Sequence, residues 1–419
     1  MNQIFTRARA SHADVDAPAR RGSEAAGELV IVANGPGELS GWAVPLARAA
    51  RAWAASQDRP LQLSLVLPPC QVASGYEKPF AMGQGVFHRI FGPKDCLAFV
   101  TGWRRFPSAG PGCVLHLGGD LWYSATLARR FGFPAFAYVE TTLIRKRAHR
   151  FERAFVPSPE LAERLVRRGV PAHRLSVVGD IRVEHLQTIP AAIPFARGRP
   201  RVALLPGSRE WILRLALPFL LGLVPAVRAL RPEVEFALIV SPFLPSSMIR
   251  RAISAGGNLG CDVVDRDQLE TAAQCDLAIT YPGTNTVELA VLGVPMLVVL
   301  PLHHPQAIRT PGLNEWLSRI PGMAGLTKSI IVAAYTRRHK LLAWPNREAG
   351  RMITPEMVGR IAPLQVARRT IEMLDDQAAL QRIAQELRTL YPPARGATTR
   401  ILEEMAPFLW PAARTAARM

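Results

Sequence analysis

The sequence predicts an α/β fold of two doubly wound, Rossmann-like domains that face a cleft. From Glu28 onward, short β-branched or apolar runs alternate with longer amphipathic stretches, the pattern of parallel strands joined by helices. Residues 189–200, IPAAIPFARGRP, contain three prolines and one glycine without periodicity, which is typical of a linker. The alternation then begins again, so the chain predicts a second sheet of the same kind.

Each half of the chain supplies its own strands and helices. In the first half the predicted strands are ELVIVAN, LQLSLVLP, CVLHLGG, PAFAYVE, RAFVPS and LSVVGD, and the predicted helices span 42–55, 122–131 and 159–168. In the second half the strands are RVALLPGS, EFALIVS, CDVVD, CDLAIT and PMLVVLPL, with helices at 210–230, at 245–255 and from Thr286 onward. Alternating strands and helices form parallel sheets covered on both faces. Ligands of such folds bind beyond the carboxyl ends of the strands.

The length of 419 residues exceeds what one hydrophobic core usually organises, so two domains are expected. The predicted boundaries are a disordered tail at 1–26, an N-terminal domain at 27–190, a linker at 191–200, a C-terminal domain at 201–395 and a helical segment at 396–419. The tail is rich in Ala and Arg and lacks an apolar stretch of signal-peptide length. An organellar transit peptide is the alternative for this segment.

The charge balance and the cysteines narrow the class of protein. The chain has 51 Lys and Arg against 33 Asp and Glu, a net charge of +18, which favours nucleic acid, an anionic membrane surface or a phosphorylated substrate as partner. The five cysteines are scattered without C-x-x-C spacing, which indicates a reducing cytosol and no zinc site.

The apolar runs at 215–227 and 289–302 are shorter than the roughly 20 residues of a membrane span, so no transmembrane helix is expected.

A phosphate-binding turn is predicted at LLPGSRE, residues 204–210. A strand ends at Pro206, and Gly207 and Ser208 then open a helix, with Arg209 beside them. The free N–H groups and the positive end of the helix dipole suit a phosphate. The alternative is an ordinary strand-to-helix turn with a serine cap and a solvated arginine.

A second turn of this kind lies in ITYPGTNTVELAVLGVPMLVV, residues 279–299. The turn at Gly283 and Thr284 follows a strand, Thr286 is predicted to cap the next helix, and Glu288 lies in its first turn. A carboxylate there is able to accept hydrogen bonds from two ribose hydroxyls while the N–H groups of the turn face phosphate. An ordinary helix start is again the alternative. Together the two turns predict a nucleotide-diphosphate site in the C-terminal domain.

These turns resemble those of the lipid-A-disaccharide synthase family. The likeness lies in PGSR at 206–209 and GTNTVELAVLGVP at 283–295. It implies the two-domain GT-B fold and an inverting glycosyltransferase that joins two UDP-diacylglucosamine-derived sugars. The family's first turn, Gly-Glu-Ala-Ser-Gly-Asp, is similar to residues 37–42 here, where Trp42 replaces the final Asp. An acidic residue of the family is replaced by Ile212.

The resemblance extends in family order from residue 28 to about residue 360. LGGDLWYSATLARRFGFPAFAYV is similar to the family's Gly-Ile-Asp strand end, and PNREAGRMITPE is similar to its Asn-x-x-Ala-Gly and Pro-Glu signature. The implied acceptor-side turn comprises Gly37, Ser40 and Gly41. The implied donor-binding residues are Gly207, Ser208, Arg209, Gly283, Thr284, Thr286, Glu288, Asn346, Gly350 and Glu356.

An inverting transfer requires a base for the acceptor hydroxyl and positive charge for the leaving UDP. Asp120 is the first candidate base because it ends a strand after two glycines, with a helix-capping carboxylate as the alternative. Glu38 is the second catalytic candidate, against a solvated acid in a turn. Arg209 and the helix starts are expected to stabilise the pyrophosphate without a metal or another cofactor. His116 is interpreted as a core histidine, and the His303-His304 pair lacks partners at ligand spacing.

Basic segments suggest where the protein acts. IRKRAHRFER at 144–153 and GWRRF at 102–106 mix Arg and Lys with apolar residues, which suits an anionic bilayer surface. A solvated basic face is the alternative, and nucleic acid is disfavoured because no recognition module accompanies the charge. We therefore expect a peripheral protein on the inner face of the cytoplasmic membrane.

The expected function is transfer of an acylated glucosamine-type sugar from UDP, with inversion, to a lipid-linked or phosphorylated sugar acceptor. A UDP-sugar epimerase or another glycolipid glycosyltransferase on the same scaffold is the first alternative. The second is a non-catalytic nucleotide-sugar-binding protein, which the departures at Trp42 and Ile212 favour.

Overall fold

The computed structural model describes residues 26–70, 73–108, 110–192, 198–208, 210–265, 268–302 and 341–411. Most of the predicted tail and part of the predicted linker lie outside these ranges. The same holds for Arg209 and for the pair His303 and His304.

Seven parallel strands form the N-terminal sheet, in the order β3-β2-β1-β4-β5-β6-β7. They are β1 Gly27–Val32, β2 Leu61–Val66, β3 Arg89–Phe91, β4 Gly112–His116, β5 Ala135–Tyr138, β6 Arg153–Val156 and β7 Leu175–Val177. Every residue of β1 is buried, because a central parallel strand is covered on both faces by helices. The predicted strands of this half are therefore confirmed, and the structure adds the short β3 at the edge.

Helices cover both faces of this sheet. They are α1 Pro36–Glu38, α2 Val44–Ser56, α3 Glu77–Gly83, α4 Pro93–Thr101, α5 Leu121–Phe131, α6 Pro159–Arg167 and α7 Ile181–Leu186, with a π turn at Leu39–Ala43 and 3-10 turns at Thr142–Lys146, Ala148–Arg150 and Ala172–Arg174. The helix predicted from Trp42 begins earlier, at Pro36, because a proline in the first turn of a helix loses no hydrogen bond. The π turn Leu39–Ala43 joins α1 to α2.

Six parallel strands form the C-terminal sheet, in the order β10-β9-β8-β11-β12-β13. The strands are β8 Arg201–Leu205, β9 Glu235–Ile239, β10 Asp262–Val264, β11 Leu277–Thr280, β12 Met296–Pro301 and β13 Glu356–Gly359. The helices are α8 Glu210–Leu230, α9 Ser246–Gly257, α10 Gln268–Ala272, α11 Asn285–Val291, α12 Trp344–Ala349, α13 Pro363–Asp375 and α14 Gln377–Leu390. The sequence did not predict β13, because this edge strand has four residues and none is fully buried.

The last described helix, α15 Ala397–Leu409, returns to the N-terminal domain. Its Ile401, Leu402 and Met405 lie in the same core as the strand residues Leu29 and Leu63. The Glu184 carboxylate in α7 accepts hydrogen bonds from the first backbone N–H groups of α15 at 2.9–3.0 Å. The helix predicted as a separate segment therefore belongs to the N-terminal core.

One helix of the described residues, Ile212–Leu230 within α8, is long and apolar enough to cross a membrane by length and composition. The expectation of no transmembrane helix was based on the run at 215–227, and the helix continues past Arg214 and Arg228 on either side of that run. Leu213, Leu220 and Val224 on one face of the helix lie in the C-terminal core.

We predict that Leu402→Ala lowers the free energy of unfolding by about 2–5 kcal/mol, because it leaves a cavity in the core shared by α15 and the N-terminal sheet. The measurement is urea denaturation followed by circular dichroism. Glu403→Ala on the exposed face of the same helix is the matched control and should change stability by less than about 0.5 kcal/mol. Equal stability of the two variants would separate α15 from the core.

Candidate active site

The carboxyl ends of both sheets meet at a cleft, where the acceptor-side turn approaches the donor-side turn. A Cβ atom built on Gly37 of the N-terminal domain would lie 3.4 Å from Thr284 Oγ1 of the C-terminal domain. Gly37 belongs to the turn after β1, and Thr284 belongs to the turn after β11. Two turns that are 247 positions apart in sequence, from 37 to 284, therefore form the two walls of one site.

Arg182, at the start of α7, occupies the centre of this cleft. Its side chain is 11% exposed, and its guanidinium lies 4.7 Å from the centre of the Trp42 ring. A Cβ at Gly41 would be 2.8 Å from Arg182 Nε, so glycine is required there for the arginine to pass. The Nε atom of Arg182 and the Nε1 atom of Trp42 are buried without a hydrogen-bond partner among the described residues. Buried donors without a partner are rare in folded proteins.

Glu140 lies beside Arg182, two residues beyond the end of β5. Its Oε1 atom is 4.0 Å from Arg182 Nη1, and 30% of its side chain is exposed. Burial in the cleft raises the pKa of Glu140 to about 7; Arg182 opposes this rise, whereas Asp180, Glu348 and Glu38 add to it. A carboxyl group with a pKa near neutrality is suited to proton transfer at physiological pH.

Glu288 reaches the same arginine from the C-terminal domain. It lies in the first turn of α11, as the sequence predicted. Burial raises its pKa, and the nearby charge of Arg182 opposes that rise. For Arg182 itself, burial would lower the pKa, but the carboxylates of Glu140, Asp180 and Glu288 outweigh burial and raise it. One buried cation thus interacts with carboxylates of both domains.

Glu38 points from the turn after β1 towards the end of β4. A Cβ at Gly118 would lie 2.6 Å from Glu38 Cγ, and Glu38 contributes to the raised pKa of Glu140. The predicted location in the cleft therefore agrees with the structure. Ser40 of the same turn donates its hydroxyl proton to the Pro36 carbonyl at 2.9 Å, so this hydroxyl also stabilises the turn itself.

Asp120 follows β4 after a short turn and caps the N-terminus of α5. Its Oδ1 accepts a hydrogen bond from Trp122 N at 2.8 Å and is 3.0 Å from Arg147 Nη1. Its side chain is 56% exposed. The capping alternative from the sequence thus describes the Asp120 geometry, whereas Glu140 has the buried surroundings expected of a base.

The two predicted phosphate turns are present at the ends of β8 and β11. Gly207 has a φ of +94°, which favours glycine, and Ser208 follows it before α8. Thr286 is not the helix cap that the sequence predicted, since Thr284 occupies that position. Thr286 is fully buried, donates to Gly283 O at 2.7 Å and accepts from Trp344 N at 3.2 Å. Its hydroxyl therefore joins α11 to α12.

The side chains of Asn346 and Glu356 stabilise the fold through hydrogen bonds. The Asn346 amide is fully buried, donates to Thr354 O and to Glu356 Oε1, each at 2.8 Å, and accepts from two backbone N–H groups. This uses the full capacity of the amide. The Glu356 carboxylate also accepts from the N–H groups of Leu342 and Ala343. Gly350 ends α12 with a φ of +67°. These contacts give Asn346 and Glu356 a structural role, and their predicted role in donor binding stays a prediction.

His116 is the core histidine that the sequence predicted. It is 5% exposed on β4, and its Nδ1 lies 2.8 Å from Ser124 Oγ. Burial lowers its pKa to about 4, so the ring is neutral at physiological pH. Across the described residues, no group of three or more His, Cys, Asp or Glu side chains is arranged to hold a metal ion.

Sequence reasoning missed Arg182, Glu140 and Asp180. A signal existed for all three, because each lies within five residues of the carboxyl end of a predicted strand, PAFAYVE or LSVVGD. In parallel sheets these ends line the ligand site. Their meeting with Glu288 was not visible, because it depends on how the two domains dock.

Known proteins match parts of this chain by sequence. A family model described as Lipid-A-disaccharide synthetase matches residues 191–337. Lipid-A-disaccharide synthase of Anaeromyxobacter sp. (strain K) is 28% identical over 220 residues, 51% of this chain and 51% of the relative. The Geobacter sulfurreducens enzyme of the same name is 35% identical over 104 residues, 24% of this chain and 26% of the relative. The chain spans about half the length of the first of these curated relatives.

Solved structures match nearly the whole chain by fold. S. aureus MnaA in complex with UDP gives a TM-score of 0.53 at 12% identity, covering 91% of this chain and 97% of that chain. UDP-GlcNAc 2-epimerase from Neisseria meningitidis, bound to UDP-GlcNAc, gives 0.52 at 11% identity, covering 90% and 99%. These likenesses concern the fold, and they confirm the two Rossmann-like domains that face a cleft.

We predict that Glu288→Ala weakens UDP binding about 30-fold or more, because losing two ribose hydrogen bonds to a charged acceptor costs roughly 2–4 kcal/mol. Isothermal titration calorimetry with UDP provides the measurement. Glu235→Ala, at an exposed position of β9, removes the same group outside the cleft and should leave the affinity unchanged. If Glu288→Ala binds UDP as tightly as the wild type, Glu288 is not part of the donor site.

Proposed function

We propose that the chain is a GT-B glycosyltransferase of the lipid-A-disaccharide synthase family that uses a UDP-sugar donor, which the match of residues 191–337 to that family's model supports. The donor is an acylated glucosamine-type sugar, and the acceptor is a lipid-linked or phosphorylated sugar. The observation that carries the proposal is the cleft, in which Glu38, Glu140 and Arg182 of one domain approach Thr284 and Glu288 of the other.

In the proposed reaction the acceptor hydroxyl oxygen attacks the anomeric carbon of the donor sugar. The bond from that carbon to the UDP oxygen breaks with inversion, and the hydroxyl proton passes to the carboxylate of Glu140. Arg182 and the N–H groups of the turns at Gly207 and Gly283 are suited to balance the negative charge on the leaving UDP.

Product analysis separates this proposal from its alternatives. The protein is incubated with an acylated UDP-glucosamine, with and without a phosphorylated acylated glucosamine acceptor, and products are identified by mass spectrometry. A glycosyltransferase releases UDP and forms a disaccharide only when the acceptor is present. An epimerase converts the UDP-sugar to its isomer without acceptor, and a binding protein changes neither substrate. Accumulation of an acylated monosaccharide in cells depleted of the protein would support the same step.

Proton transfer gives a prediction about pH. A base must be deprotonated to act, so kcat/KM should rise with pH up to about 7 and then level off, following the raised pKa of Glu140. Glu140→Gln should lower turnover about 100-fold or more and remove this rise. UDP affinity, measured in parallel, should stay close to wild type.

Asp120→Asn is the comparison variant, because the sequence-based hypothesis assigns the base to Asp120. If Glu140 is the base, Asp120→Asn keeps the rise with pH up to about 7. If Asp120→Asn loses about 100-fold in turnover together with that rise, while Glu140→Gln keeps both, the base is Asp120.

We also propose that the protein acts on the inner face of the cytoplasmic membrane. Each buried CH₂ of an acylated substrate contributes about 0.8 kcal/mol to its retention in the bilayer, so the protein must approach the surface. Ile144, Ala148 and Phe151 of the basic segment are buried in the domain. The apolar side chains proposed to contact lipid are therefore exposed ones, such as Trp103 and Leu143, which are 90% and 78% exposed.

We predict that the protein co-sediments with anionic vesicles and that binding falls at high salt, since the Debye length drops to about 3 Å at 1 M. The double variant Trp103→Ala/Leu143→Ala should weaken binding further. Met352→Ala, at a side chain 54% exposed on the C-terminal domain, is the control. Salt-independent binding, or no binding to any vesicle, would contradict membrane action.

A further inference from the structure

An aromatic ring pair joins the two domains beside the cleft. Phe80 lies in α3 of the N-terminal domain, and Phe243 lies in the loop that follows β9 of the C-terminal domain. Their ring centroids are 4.2 Å apart, with an angle of 37° between the ring planes. The other ring pairs of the described residues all lie within the N-terminal domain and α15.

Phe243 is buried in the core of the domain to which it does not belong. It is 3% exposed and lies in the same hydrophobic cluster as Leu67 and Ala81 of the N-terminal domain. No other described residue of the range 201–390 belongs to that cluster. Leu244, the next residue along the chain, is 2% exposed and lies in the core of the C-terminal domain. Two consecutive side chains are thus anchored in the cores of different domains.

The sequence around Phe243 restricts the loop that carries it. SPFLP at 241–245 places a proline on each side of Phe243 and Leu244. Each proline fixes its own φ and biases the residue before it towards extended backbone. The Phe243 N–H donates to Ser241 Oγ at 3.3 Å, and the Pro245 carbonyl accepts two N–H groups from the first turn of α9. The loop is therefore held at both ends and has few alternative conformations.

The partner ring is carried by a helix that is fixed on the N-terminal domain. In α3, Ala81 is fully buried in the core. Glu77, in the first turn, is 5% exposed, and its carboxylate accepts hydrogen bonds from the N–H groups of Ser74 and Gly75 at 2.5 and 2.9 Å. Phe80 is partly buried against the same core. Both rings are thus presented by segments that are anchored in their own domains.

This contact is separate from the covalent connections between the domains. The chain passes from one domain to the other between α7 and β8, and it returns between α14 and α15. Neither connection includes Phe80 or Phe243. Opening of the cleft by rotation about these connections would separate the two rings and expose the apolar surface of Phe243 to water. The ring pair therefore opposes opening of the cleft.

The ring pair lies next to the turns that form the cleft. Phe80 is in the helix that follows β2, and β2 is paired with β1, the strand before the turn at Gly37 and Glu38. Phe243 follows β9, which is paired with β8, the strand before the turn at Gly207. In each sheet the ring is thus carried beyond the strand adjacent to a turn of the site.

We propose that Phe243 is a positioning residue for sugar transfer, because its insertion beside Phe80 holds the two walls of the cleft at the separation that the reaction requires. The inference rests on the proposed function. The proposed base Glu140 belongs to one domain, whereas Thr284 and Glu288 of the proposed donor site belong to the other. These groups are aligned only while the domains are docked, and a misplacement of about 1 Å is enough to lower turnover strongly.

Sugar transfer by the full chain tests the proposal, with an acylated UDP-glucosamine as donor and a phosphorylated acylated glucosamine as acceptor. Phe243→Ala and Phe80→Ala should each lower kcat about tenfold, while UDP affinity falls by about threefold or less, because most groups proposed to hold UDP lie in one domain. The double variant should lose no more than Phe243→Ala, since the two rings form one contact.

Leu244→Ala is the matched control, because it truncates an equally buried apolar side chain that stays within its own domain. Its kcat should remain within about twofold of the wild type. Phe243→Leu keeps a large apolar side chain in the N-terminal core and should recover most of the turnover that Phe243→Ala loses. Phe80 is partly buried, so Phe80→Ala tests the same contact if Phe243→Ala does not fold.

Small-angle X-ray scattering of the ligand-free proteins measures the docking of the domains without requiring turnover. The radius of gyration should be larger for Phe243→Ala than for the wild type and Leu244→Ala. Any of three results would overturn the proposal. They are equal losses of kcat in Phe243→Ala and Leu244→Ala, losses of Phe80→Ala and Phe243→Ala that multiply in the double variant, and wild-type kcat in Phe243→Ala.

Failure of the positioning role and failure of the proposed function are distinguishable. Sugar transfer with equal kcat in the wild type and Phe243→Ala rejects the positioning role and leaves the function. A protein that transfers no sugar, but whose radius of gyration increases in Phe243→Ala and not in Leu244→Ala, rejects the function and leaves the interdomain contact.

Discussion

The structure of the cleft depends on one buried cation, Arg182. Removing a guanidinium from water is costly unless carboxylates and hydrogen-bond acceptors compensate for the lost solvation. Here Glu140 and Asp180 of the N-terminal domain and Glu288 of the C-terminal domain provide that compensation. The docking of the two domains and the charge state of the site are therefore linked, because moving Glu288 away would leave Arg182 with fewer anionic neighbours.

Several neighbouring features follow from the space that Arg182 needs. Gly41 has no side chain because the arginine passes within contact distance of its backbone. Trp42 lies under the guanidinium, and its ring edge contacts Tyr138 at a centroid distance of 5.7 Å. Trp42 stands where the family motif that residues 37–42 resemble has an Asp. The face of the Trp42 ring packs against the Arg182 guanidinium, and the carboxylates near this cation come from other parts of the chain.

The two carboxylates considered as bases differ in environment. Asp120 is solvated, caps a helix and is paired with Arg147. Glu140 is enclosed with Glu38 and Asp180 nearby and has only a long contact of 4.0 Å with Arg182, so its proton affinity is raised.

The sequence by itself determined the architecture: the strand and helix alternation, the two sheets, the turns at the carboxyl ends of β1, β8 and β11, and the cleft position of Glu38 and Glu288. These follow from local periodicity and turn chemistry, which are written in neighbouring residues. Only the tertiary structure decided that Asn346 and Glu356 bond each other, that Thr286 joins two helices, and that α15 completes the N-terminal core. It also decided that Arg182 meets Glu140 and Glu288. Most of these pairings join residues from different elements, and their energies depend on burial and, for Arg182 with Glu288, on domain docking, which no local pattern encodes.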